Sequence, residues 1–349
     1  MATAVTWEQV LGRRIARSRL VEAGSSTAEV AAAVGGIHAQ ILSAAELSLS
    51  ARLPHLKRAD VRVDLWERRV LVKTWLHRGT LHLVPAHELP LWVSATRAGR
   101  SEDEPELAAA IGAALEDGRP KSRHELADAI GDERLHTPWG TWLAEAAQAG
   151  LLVFGPSRGS TTTFVRPDRW VGYDDEPAAD EALRAALRRY LDTYGPSRHG
   201  DFATWLGIST ATAKAAFQAA ADELEPVTVE GKRAFALVSD EPWEAARGSV
   251  ALLPHYDCYL VGSRFGRDRV VPEEVKLRAR EHGRGRFEGV IAIPTVVCEG
   301  VVRGFWRLEG KTITVELLSR VSKRAIEREV DRIRSFLDAD LAIAYGRTF

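Results

Sequence analysis

Cysteine is nearly absent: two in 349 residues, Cys258 and Cys298, with no pair of CxxC motifs. A disulfide-stapled secreted domain and a structural zinc module therefore lose their support, and a reducing compartment is expected. Long apolar runs are missing as well, since none approaches the roughly 18 residues that span a bilayer. The opening MATAVTWEQV has neither a basic leader nor an apolar core, so a cytoplasmic protein that does not associate with membranes is expected. There is no phosphate-binding glycine loop, HExxH or GxSxG. That removes the usual signatures of nucleotide hydrolysis, zinc proteolysis and α/β-hydrolase chemistry. No cofactor and no metal are expected.

What is present is a folded chain of several modules, with 45% hydrophobic residues, 27% charged residues and ten Trp anchors. The formal net charge of -1 hides a strong asymmetry. Residues 1–100 carry 14 Lys/Arg against 8 Asp/Glu, residues 101–250 carry 15 against 26, and residues 251–349 carry 18 against 14. A basic surface built from both ends would attract a polyanion whatever the total charge, although charges spread over solvated faces would give the same counts.

The pattern along the chain recurs. In WEQVLGRRIARSRLVEAG, Trp7, Val10, Leu11, Ile15 and Leu20 lie at helical spacing, and Gly24 is expected to end the run. Ser26 or Thr27 caps a short helix that Gly35-Gly36 breaks, helical character resumes to Pro54, and VDLWERR forms a further helix. VLVKTWLHRGTLHLVP then reads as two strands joined at Arg78-Gly79. Helices ending in a hairpin return after the acidic stretch SEDEPE, with LLVFG and TTTFV as strands, and again after GYDDEPAADE, with Glu230-Gly231 as the turn. The expected architecture is α+β, with three winged-helix modules at 1–100, 101–175 and 176–245. From 246 to 349, alternating apolar positions predict a small β-barrel or sandwich closed by an amphipathic helix. Three tandem winged helices with basic ends point to nucleic acid, bound either by an enzyme or by a regulator. A drug-sequestering protein is a third reading.

"GGIHAQIL", residues 35–42, places His38 and Gln40 two positions apart at a helix break. In an extended segment both would share a face with Ala39 turned away, whereas in a helix they would diverge by about 200°. Most polar residues at such breaks only cap backbone groups. In the hairpin, Leu81, Leu83 and Val84 read as core, leaving Arg78, Thr80 and His82 to face a ligand. His77 and His82 flank the turn without a carboxylate at metal-ligand spacing, so a hydrogen-bonding or structural role is favoured over metal ligation.

Several stretches resemble the AlkZ/YcaQ family of bacterial DNA glycosylases: HAQ at 38–40, RGTLHLV at 78–84, YGPSRHGDFATWLG at 194–207, LLPHYDCYLVGSRFGRDR at 252–269 and EGVVRGFWR at 299–307. The resemblance implies tandem winged helices in a C-shape around double-stranded DNA, and a monofunctional glycosylase acting as a monomer on N7-alkylated purines. The family's catalytic motif is glutamine, an aliphatic residue, then glutamine or aspartate. By position, His38 takes the first catalytic place and Gln40 the second. His38 departs from the glutamine of the best-known members and matches a histidine-bearing branch associated with resistance to bulky DNA-alkylating natural products. The resemblance also implies DNA-side roles for Arg78, Thr80, His82, Tyr256, Asp257, Arg264 and Arg269. For Asp257, an internal pair with an arginine is the competing reading.

Overall fold

A computed structural model describes residues 3–98, 104–137, 141–173, 175–239 and 242–349. Residues 101–103 of SEDEPE, 138–140 before the helix of TWLAEAAQ, and 174 of the second acidic stretch lie outside the described residues. Strand β1 (Thr3–Val5) precedes helix Trp7–Arg17, whose start is fixed by a capping box between Thr6 and Gln9. The helix stops before the expected Gly24. Arg19 adopts φ 58°, the Leu20 amide donates to the Ile15 carbonyl, and the Arg19 amide donates to Ala16. This is a left-handed C-terminal cap made without glycine.

The three helix-and-hairpin rounds are present. In the first, helices Thr27–Ala33, Leu42–Ser50 and Arg58–Trp66 accompany β2 (Ile37–His38), β3 (Leu71–Trp75) and β4 (Leu81–Pro85), ordered β2-β4-β3. In the second, helices Pro105–Ala114, Arg123–Ile130 and Trp142–Gln148 accompany β5 (Lys121–Ser122), β6 (Val153–Arg158) and β7 (Thr161–Val165), ordered β5-β7-β6. In the third, helices Ala179–Tyr194, His199–Leu206 and Thr210–Ala219 lead to β8 (Leu224–Val229) and β9 (Lys232–Leu237). Here the third strand is not local, because β1 pairs in parallel with β8. The helix after β1 follows it into the same neighbourhood: the buried Arg14 donates to the Gly195, Pro196 and Phe265 carbonyls.

The expected C-terminal barrel or sandwich is not formed. β10 (Val250–Leu253), β11 (Thr295–Cys298), β12 (Val301–Glu309), β13 (Thr312–Leu317) and β14 (Ala342–Tyr345) make one open five-stranded sheet in sequence order. Helices cover both faces. Ile326, Val330 and Ile333 of helix Lys323–Leu337 pack with Leu252, Val296, Trp306 and Ile313. On the other face Leu11 and Ile15 join Tyr259, Leu260 and Val275 against Ala251, Leu253, Val297 and Phe305. Strands buried on two faces need covering, and helices serve as well as a second sheet. No helix among the described residues is long and apolar enough to cross a membrane.

The β3–β4 hairpin is the hub of the molecule. Leu71, Leu81 and Leu83 point into a core shared with Leu126, Phe154 and Phe164 of the second round. Val72 and Val84, one residue out of phase, enter a core with Trp92, Tyr190, Phe202 and Trp205. Because side chains alternate along a strand, one hairpin joins two cores, and its turn, with Lys73 and Trp75, approaches the surface.

Candidate catalytic site

The helix break is built by two glycines that no other residue could replace without strain. Gly35 has φ 67° and Gly36 has φ 100°. A Cβ on Gly35 would lie 3.0 Å from the Trp205 ring, and one on Gly36 would lie 3.2 Å from Val84. From this break the chain runs extended. Ile37 pairs with Leu83 and His38 with His82, and the Ala39 amide donates to the Leu81 carbonyl at 2.7 Å. Ala39 is fully buried, His38 half-buried and Gln40 exposed. On β2 the His38 side chain lies opposite those of its strand neighbours, and Gln40 follows in a bend just past the strand end. The Gln40 side-chain oxygen Oε1 accepts a long contact from the Leu81 amide, 3.4 Å, which ties it loosely to β4.

His38 is held between two rings. The His82 ring meets it edge-on at 5.4 Å between centroids, and Tyr256 lies over it at 5.1 Å, tilted by 31°. Among the described residues its nitrogens make no protein hydrogen bond. Burial, with the Arg78 charge second, brings the His38 imidazole down to about 4, so it is neutral at physiological pH. His82 is 2% exposed, which corrects its assignment to a DNA-facing position: it stands behind His38. Its Nδ1 lies 3.0 Å from the Thr80 carbonyl, an acceptor only, so Nδ1 carries the proton and Nε2 is bare in the neutral ring. Burial, then the neighbouring His77 and Arg78, hold it well below the ordinary histidine range. Behind it, His77 packs against Trp92 and Trp205, and the whole stack rests on the second core.

Asp257 is the second correction to a DNA-side role, and it forms the internal arginine pair that was the competing reading. It is 1% exposed, and its carboxylate takes both guanidinium nitrogens of buried Arg52, at 2.8 and 2.9 Å. The Ser48 hydroxyl (2.7 Å) and the Tyr259 amide (2.9 Å) complete its shell. Burial alone would raise this carboxyl, but Arg52 and these donors bring it below its ordinary range. No DNA atom can reach it. It locks the loop that holds Tyr256, whose φ is 55° and whose hydroxyl donates to Glu288, so Asp257 acts as a clamp between the first round and the C-terminal part. The Arg52 partner was not identifiable from sequence, since no local spacing links residues 205 positions apart.

The basic residues divide. Arg78, at φ 57° in the turn, donates to the Trp205 carbonyl, while Thr80 spends its hydroxyl proton on the His77 carbonyl at 3.0 Å. Arg264 lies near enough to Arg78, and to Arg267, to depress both. Burial comes first in each case, and each is pushed down to about 10, still charged at neutral pH. The buried Arg264 Nε has no hydrogen-bond partner, and its side chain forms no ion pair among the described residues. Asp201 is near enough to favour the Arg264 charge, but the cluster keeps a net positive character that suits an anion from outside. Arg269 stands apart, on the surface, in a 3.2 Å pair with Glu230. Among the described residues no group of three or more His, Cys, Asp or Glu could hold a metal ion.

This arrangement offers a neutral imidazole on β2 and an exposed amide just past the strand end, near the charge of Arg78. A sequence profile of the family described as DNA glycosylase AlkZ-like matches residues 31–336. The interstrand DNA cross-link repair glycosylase of Streptomyces sahachiroi is 31% identical over 363 residues, covering 94% of this chain and 95% of its own length. The structure of the Streptomyces sahachiroi DNA glycosylase AlkZ matches with a TM-score of 0.86 at 26% identity, over 99% of this chain and 100% of that one.

Proposed function

The chain belongs to the AlkZ-like family of DNA glycosylases, and on that premise we propose that it hydrolyses the N-glycosidic bond of N7-alkylated purines in duplex DNA, bulky adducts and interstrand crosslinks included. The observation that supports this reading is the glycine break, after which half-buried His38 pairs with His82 on β2, buried Ala39 follows, and exposed Gln40 comes next. The three helix-and-hairpin rounds act as winged-helix modules that form a concave basic surface around the duplex, and the site is an open cleft into which a bulky adduct need not be swallowed.

The chemistry follows from the substrate's charge. An N7-alkylated purine carries a positive charge in its imidazole ring. When C1′–N9 breaks, the bonding pair goes to the purine and neutralises that charge, so no general acid is required. Water then bonds to an oxocarbenium-like C1′ and becomes strongly acidic as it does so. A weak base suffices for that proton. Neutral His38 accepts it, Gln40 orients the water through its amide oxygen, and His82 behind fixes the His38 ring. The guanidiniums of Arg78 and Arg264 hold a phosphate next to the lesion.

The test is release of the modified base from a duplex containing N7-methylguanine and from one containing a bulky N7 adduct, with alkali-sensitive strand breaks as the second readout. Release above spontaneous depurination is expected from at least one duplex; release from neither removes the proposed function. His38 loses its free lone pair only as pH falls through about 4. Corrected release should therefore stay level from about pH 8 to about pH 5 and decline below that. A midpoint near 6.5 would mean that His38 is not desolvated in the working enzyme.

Arg264→Gln should weaken binding evenly across duplex sequences. It should also lower the slope of log K against log salt by about one, the signature of a single lost phosphate contact. An unchanged slope would take Arg264 off the DNA.

A further inference from the structure

One exposed group is unused by this mechanism. Phe287 is 86% exposed, more than any other large apolar side chain described. It projects from the short helix Gly283–Glu288, sequence GRGRFE, between Arg286 and Glu288. The base of this projection is fixed. Gly285 is packed so that a Cβ would lie 2.3 Å from the Ala279 carbonyl, and Gly289 takes φ 75°. At its foot lies a cavity of about 300 Å³ whose charged lining is Arg267, Lys276, Arg280 and Arg286 with Glu288. The neighbouring Glu288 accepts the hydroxyl of Tyr256, the ring lying over His38. An aromatic tip on a rigid base, ringed by cations and one residue from the wall of the catalytic site, is suited to DNA and poorly suited to water.

We propose that Phe287 inserts between base pairs beside the lesion, with Arg280 and Arg286 on the flanking phosphates. This rests on the glycosylase reading and adds the device that opens the stack. An N7 substituent fills the major groove, so the tip enters from the minor groove. Partial unstacking there bends the duplex and turns the sugar toward His38.

The experiment uses the full chain and a duplex with one N7-methylguanine next to 2-aminopurine, whose fluorescence rises when it unstacks. Wild-type protein should raise that fluorescence. Phe287→Ala should abolish most of the rise and weaken binding about tenfold, the scale of one lost aromatic stack, while Phe287→Trp should preserve both. Because the side chain is exposed, thermal melting should be unchanged, which separates the effect from misfolding. No rise with the wild type, or equal rise and affinity with Phe287→Ala, overturns the proposal. Base release measured in the same samples reports on the glycosylase reading separately. If the wild type releases no base while the Ala contrast persists, the activity falls and the inserting tip stands.

Discussion

His38→Ala should reduce single-turnover base release by about 10²- to 10⁴-fold, the range over which a positioned general base contributes. That corresponds to roughly 3–5 kcal/mol of transition-state stabilisation. Folding should be spared, because His38 is half-buried and makes no protein hydrogen bond among the described residues. His38→Gln should recover a substantial part of the rate, since an amide oxygen at the same place on β2 can still orient water while it can no longer take the proton. Gln40→Ala should lose about 10²-fold, as the loss of one well-placed polar group at a reacting centre does. The measurement is base release from the better of the two N7-alkylated duplexes, with far-ultraviolet circular dichroism to confirm the fold. If His38→Ala stays within about threefold of wild type, the catalytic assignment is wrong even if glycosylase activity is real.

The largest stability effect should come from Asp257, which the sequence left between a DNA-side role and the internal arginine pair that the structure shows. Asp257→Ala strands the buried Arg52 guanidinium, whose charged state is held by that carboxylate against the opposing effect of burial. Breaking a buried pair on one side costs about 3–5 kcal/mol. In a chain of this size the melting temperature should fall by on the order of 10 °C. Removing both charges, as in Arg52→Met with Asp257→Leu, should recover much of the loss, because the cost lies in the unpaired ion. The sign with pH is also defined: the Asp257 pKa is depressed in the fold, so its stabilisation is complete above the ordinary aspartate range and disappears only as pH falls below it. A single Asp257→Ala variant that melts within about 2 °C of wild type would show that the clamp is not needed.

The helix-and-hairpin rounds were legible because local rules determine them. Ser26 caps where an apolar period begins, Gly35-Gly36 break it, and Glu230-Gly231 turn a hairpin. The parallel pairing of Thr3–Val5 with Val227–Val229 was not legible, since nothing near Thr3 marks a partner 224 residues away. The C-terminal barrel was misread for a related reason. Thr295, Val296 and Val297 are buried in succession, which says that both faces are covered but not by what. At the site, His38 and Gln40 were noticeable as polar residues at a glycine break, but their expected catalytic places came from the resemblance to the family motif. Tyr256 belonged to a recognisable stretch, but its place over the His38 ring depends on an Asp257–Arg52 lock assembled from distant segments. His82 shares a face with its partner His38 but is covered there by His77, and alternation shows which residues share a face, not which of them are open. Its face turned out to carry the second core.

The double burial of the β3–β4 hairpin has a consequence for how damage is found. His38, on the edge strand β2 that pairs with this hairpin, is expected to be held in place before DNA arrives. On the proposed reading its alignment would be set by the fold and be the same for every stretch of DNA the protein passes. Recognition then falls on the substrate: undamaged duplex, stiff and with a strong glycosidic bond, gains nothing from meeting a rigid surface. A site weakened and distorted by its own adduct can yield to that surface. Discrimination of this kind is a property of DNA compliance read by an unmoving template.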